Sequence, residues 1–197
     1  MRYHLVPTGL FIDNNFVPAA GNATLTTDNP ATGAQLAIVS AAQKEDIDRA
    51  VESSKRAFAN WKAELPATRR KLLCRLADLV ERDAADLATL EALDAGILYR
   101  DSTGLHIPQS LENLRYFAGW ADKVDGLSLT IPDGLAYTRR EPIGVCAAIV
   151  PWNAPLYVHR ACTTLYYTTD TCLKKDDNRV EACTCPCCRQ HSHYQDA

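Results

Sequence analysis

The run Gly144-Val145-Cys146-Ala147-Ala148-Ile149-Val150 constrains this chain more than any other segment, because it is apolar without alternation. A strand with one wet face alternates apolar and polar residues. A run that does not alternate reads as a strand covered on both faces, as in a parallel sheet flanked by helices. It ends at Pro151-Trp152-Asn153, residue types that stop a strand and turn the chain. The expectation is therefore an α/β fold, with this strand opening its sheet.

What precedes the run fits that class. Phe11-Ile12-Asp13-Asn14-Asn15-Phe16-Val17 places two short apolar runs around a turn and reads as a hairpin. Asn29-Pro30-Ala31-Thr32-Gly33 is a turn by composition, followed by a strand over 35–39. The period then changes. Ile47, Ala50, Val51, Ser54, Ala57, Phe58 and Trp61 recur at helical spacing. Pro66 starts a second helix with Leu72, Leu73, Leu76, Leu79 and Val80. Asp83 caps a third, which carries Leu87, Leu90 and Leu93 and closes at Gly96. A fourth carries Leu111, Leu114, Phe117, Ala118, Ala121 and Val124 and ends at Gly126. Residues 127–131 and 135–140, joined by Pro132-Asp133-Gly134, form a hairpin arm.

Composition removes several function classes. The net charge over 197 residues is −3, with both signs interspersed, so no polyanion is expected as a partner and nucleic acid is excluded. No apolar run approaches the ~18 residues that span a bilayer. The first seven residues lack the apolar core and small-residue cleavage site of a secretory leader. A cytoplasmic protein without a membrane partner is the expectation.

Several segments resemble the aldehyde dehydrogenase superfamily. They are Phe11 to Val17, Asn29-Pro30-Ala31-Thr32-Gly33, Asp94-Ala95-Gly96 (with Ile97 where lysine is usual), 115–123, 138–145 and Ile149-Val150-Pro151-Trp152-Asn153-Ala154-Pro155-Leu156. Their order and spacing follow the family over about residues 9–156. The resemblance implies an incomplete, N-terminal portion of that fold: β-hairpins, four helices, an oligomerisation hairpin and the first strand of a Rossmann-like sheet. It divides the chain into 1–126, part of the cofactor-binding domain; 127–143, the oligomerisation arm; 144–156, the first strand of the dinucleotide sheet; and 157–197, a cysteine-rich tail expected to be disordered and unrelated.

The resemblance also implies chemistry. Family members oxidise an aldehyde to a carboxylic acid with NAD or NADP. A cysteine thiolate attacks the carbonyl, and a glutamate activates water to release the acid. Asn153 takes the place of the side-chain amide that stabilises the oxyanion. Ile149, Val150, Pro151 and Trp152 take the place of the strand end beside the cofactor. Other parts have no counterpart. No Glu-Leu-Gly-Gly segment carries a base, no cysteine follows a Gly-Gln-x pair, and Leu173-Lys174-Lys175-Asp176 is not the family's cofactor-lysine motif. The chain thus reads as a truncated aldehyde dehydrogenase, inactive alone.

Cys74 and Cys146 read as small buried hydrophobes. Cys162 and Cys172 lie in the tail with the cluster Cys183, Cys185, Cys187, Cys188, His191 and His193. Thiolates and imidazoles bind zinc, but this spacing lacks two separated ligand pairs, so no metal is assigned and the cluster stays an alternative. Two other readings thus stand beside the enzymatic one: an interaction module that joins full-length subunits through 127–140, and a small metal-binding protein. Helices and strand alike are expected to leave apolar faces without partners.

Overall fold

The structure is a computed structural model that describes residues 6–150, 152–153 and 155–156. It begins with the expected hairpin, β1 (Leu10–Ile12) and β2 (Asn15–Val17), in the register Leu10 to Val17. Asp13 and Asn14 have φ of 53° and 61°. These left-handed values make a two-residue turn whose twist matches the strands, and Asp and Asn tolerate them better than branched residues do. Phe11 and Phe16 face each other across the pair, ring centroids 5.0 Å apart.

A second hairpin joins β3 (Thr24–Asp28) to β4 (Gln35–Ser40) through the Asn29–Gly33 turn. There the Asn29 side chain accepts the Ala31 N–H at 2.8 Å, and Gly33 takes a φ of 68°. The hairpins meet the helices at Asp46, the third residue of α1 (Lys44–Trp61) and 1% exposed. Its carboxylate accepts the Gln43 N–H at 2.9 Å, closing half of a capping box, and the Ala20 N–H at 2.9 Å. Arg49 completes its shell from the next turn.

The apolar centre lies between α2 (Pro66–Arg82) and α5 (Ile107–Ala118), where Leu73, Ala77, Leu114 and Ala118 are buried against one another. Two alanines facing two leucines bring the helix axes close and let the leucines interdigitate. Arg115 spans the rim to Glu81 and Asp78.

Between them, α3 (Ala84–Ala95) runs to a left-handed cap at Gly96, φ 69°. Its buried face differs from the expected leucine stripe. Ala88 and Glu91 are buried, while Leu90 is 43% exposed. The Ala88–Glu91 side faces the short α4 (Tyr99–Asp101) and the π-helical turn Ser102–His106 that follows it, neither of which the periodicity indicated. In that turn the Ile107 N–H reaches back five residues to the Ser102 carbonyl. The wide turn suits Pro108, whose ring would collide with the Gly104 carbonyl in a regular helix.

Two further expectations are corrected. The fourth helix starts earlier, at Ile107, and stops at Ala118, where Gly119 caps it, instead of running to 124. Ala121 is nonetheless buried, in a turn. Cys74 is exposed, because α2 turns Leu73 and Ala77 inward and leaves position 74 on the outer side. Among the described residues, 144–150 show one bridge residue, Ala147. A strand of that kind needs a neighbour on each edge. Among the described residues every sheet is a two-stranded antiparallel hairpin, the last being β5 (Ser128–Ile131) with β6 (Gly134–Tyr137).

Candidate functional site

The segment singled out by sequence lies after this hairpin. Ile149 and Trp152 are 69% and 68% exposed, Val150 is half-buried, and Asn153 sits exposed in a turn with Trp152. Pro151 lies outside the described residues. Ile149, Trp152 and Asn153 thus lie outside the core described above and are exposed within one short stretch.

The stretch is tied down just beyond Asn153. The Leu156 N–H donates to Oε1 of Glu91 at 3.2 Å, across 65 residues of sequence. The other oxygen of Glu91 accepts the Ser102 hydroxyl at 2.5 Å, and His106 Nδ1 stands 3.6 Å from it. Glu91 is 6% exposed and Ser102 fully buried. A buried carboxylate persists only with donors of this kind. Glu91, Ser102 and His106 were not among the residues picked from sequence. The available signal was the spacing Ala84, Ala88, Glu91, Ala95, an acid on a stripe of small residues.

Of the other titratable groups, Asp46 has the most built environment. Burial pushes its carboxyl up, and the N–H groups of Gln43 and Ala20 with the Arg49 guanidinium outweigh this and hold it below the usual carboxylate value. It organises the fold at the opposite end of the chain from Asn153 and has no part in that stretch. Among the described residues no group of three or more His, Cys, Asp or Glu is placed to hold a metal ion. The cluster Cys183, Cys185, Cys187, Cys188, His191 and His193, and the expected disorder of the tail, lie outside the described residues.

The sequence profile described as the aldehyde dehydrogenase family matches residues 16–169. The chain belongs to the aldehyde dehydrogenase family. The match passes residue 156, where the short motifs stop, so the first residues of the tail share the family pattern and the cysteine cluster lies beyond it. The tail as a whole is thus not unrelated, as the motifs alone had indicated. Residues 157–169 contain no short diagnostic string, so a reading by motif missed them.

Cytosolic 10-formyltetrahydrofolate dehydrogenase of Xenopus tropicalis is 42% identical over 175 residues, covering 85% of this chain and 19% of that protein. An aldehyde dehydrogenase of Alternaria alternata is 44% identical over 152 residues, covering 76% of this chain and 31% of its own length. Among solved structures, the NAD+ complex of an aldehyde dehydrogenase from Bacillus cereus superposes with a TM-score of 0.80 at 41% identity, over 84% of this chain and 34% of that one. PnpE in complex with nicotinamide adenine dinucleotide gives 0.81 at 39% identity over the same shares. The chain spans between a fifth and a third of these aldehyde dehydrogenase relatives. The α/β architecture expected from sequence is the one these neighbours share.

Proposed function

We propose that this chain supplies the oxyanion amide and one wall of the cofactor crevice of an NAD(P)-dependent aldehyde dehydrogenase, and that its 197 residues alone do not turn over an aldehyde. The observation that carries the reading is the octapeptide 149–156, which follows the family pattern and contains an exposed Trp152-Asn153 turn within the matched region. NAD or NADP, when bound, accepts the hydride. Ile149, Val150, Pro151 and Trp152 hold one side of it by apolar contact and exclude water there. Exposed apolar side chains at Ile149 and Trp152 fit that use. The Asn153 amide donates to the carbonyl oxygen of an aldehyde as negative charge builds on it, a contribution that fixed donors make without reorganising.

The nucleophile and base are the missing half. No cysteine of the chain follows Gly-Gln-x and no Glu-Leu-Gly-Gly is present, so neither covalent attack nor deacylation has a group to perform it. Within this reading, residues 144–156 are the first strand of the dinucleotide sheet, ordered once neighbouring strands flank it. A cytoplasmic location goes with the reading, supported by the cytosolic relative named above.

The experiment has two arms. The purified chain is incubated with NAD or NADP and a panel of aldehydes, and NADH or NADPH formation above a no-protein control overturns the proposal. Residues 16–156 are then exchanged into the Bacillus cereus enzyme. In that chimera Asn153→Ala is expected to lower kcat by about 10²–10³-fold. An unchanged kcat removes the oxyanion role.

A second reading rests on β5 and β6, where Leu129, Ile131, Leu135 and Tyr137 are all exposed. In it, residues 127–143 pair with a full-length relative. Co-purification at micromolar concentration supports it, and separate elution dismisses it.

A further inference from the structure

Glu91 has no counterpart in the chemistry above, yet it is the group that touches the Asn153 segment from the folded body. We infer that Glu91 is a positioning residue: its buried carboxylate clamps the Leu156 N–H and thereby fixes the turn that presents the Asn153 amide. The role rests on the oxyanion reading of Asn153; the clamp itself does not.

Two observations carry it. The carboxylate is divided between two tasks, with Oε2 taken by the Ser102 hydroxyl and Oε1 by the Leu156 N–H. Ser102 is held in turn by the π-helical turn, whose fivefold backbone step ends at Ile107, itself buried against the body. The acceptor is therefore held from the body side by Ser102. Asn153 lies three residues before the Leu156 bond in sequence. A donor for a developing oxyanion loses its value when it must first be ordered.

A glutamate that merely glued α3 to the π-helical turn would affect the body and leave residues 153–156 as they are. The test uses the full 197-residue chain, labelled with ¹⁵N. The amide shift of Leu156 and the heteronuclear NOE of Leu156 and Asn153 are compared with those of Leu73 and Leu114 in the core. In Glu91→Ala, exchange at the Leu156 N–H is expected to speed up at least about tenfold, and the NOE of Asn153 to fall, with Leu73 and Leu114 unchanged. Glu91→Gln keeps an acceptor oxygen without the charge. It is expected to restore the Asn153 NOE and to shift the Leu156 amide proton upfield. Unchanged Leu156 exchange and shift in both variants overturn the clamp. Should Glu91→Ala unfold, the Leu156 shift in Glu91→Gln decides alone. These readouts need no turnover, so a failed clamp and a failed oxyanion role are told apart.

Discussion

A Cβ placed on Gly96 would stand 2.9 Å from Cγ of Pro30, so the turn between β3 and β4 closes directly over the end of α3. Two motifs far apart in sequence, Asn29–Gly33 and Asp94–Gly96, thus meet at one contact. Gly96 serves it twice. Its φ of 69° ends the helix, and its bare Cα admits the proline ring.

Gly96→Ala is therefore expected to destabilise more than Gly33→Ala. Both place an L side chain at positive φ, a cost of about 1–2 kcal/mol. Only Gly96 also meets a neighbour, since nothing lies within 4 Å of a Cβ at Gly33. Urea midpoints of the two variants check the order. A Pro30→Ala/Gly96→Ala pair is expected to recover part of the excess, and strict additivity would refute the contact.

Asp46 links acidity to stability. Its folded pKa lies below the ordinary 3.8, so the native state holds the proton less tightly than the unfolded chain does. Its stabilisation is fully present above the unfolded value and is lost as pH falls through the folded one. Urea midpoints measured from neutral pH downward are expected to drop below about pH 4, and Asp46→Asn is expected to flatten that part of the curve. Asp46→Ala is expected to cost about 2–3 kcal/mol at neutral pH, because two backbone N–H groups lose their acceptor.

Across the α2–α5 seam, neighbouring residues are expected to behave oppositely. Leu114→Ala opens a hole in the buried cluster that holds Leu73, at a cost of about 2–4 kcal/mol. Arg115→Ala removes ion pairs whose partners are more than half exposed, at a cost below about 1 kcal/mol. Equal effects in chemical denaturation would mean that the rim, and not the centre, holds these helices together.

Most of this was legible in the order of segments. The Asp13-Asn14 turn and the Pro66 start declared themselves because each depends on a few residues of unusual conformational preference. The faces of the helices were less legible. Leu90 fits an apolar stripe, yet what decides the packing of α3 is that Glu91 finds Ser102, and a partner eleven residues away leaves no period. The π-helical turn escaped for a related reason, since its widening answers to Pro108 and to Glu91 together. The run at 144–150 carries the pattern of a central strand, but pattern alone supplies no neighbouring edge. Asn153 was found through family likeness, and the residue that ties its segment down was found through geometry.

The hairpin of β5 and β6 is wet on both faces, and two strands by themselves hold together only marginally in water. Its hydrogen-bonded register is therefore expected to open on warming ahead of the α2–α5 seam, which has a buried apolar layer behind it.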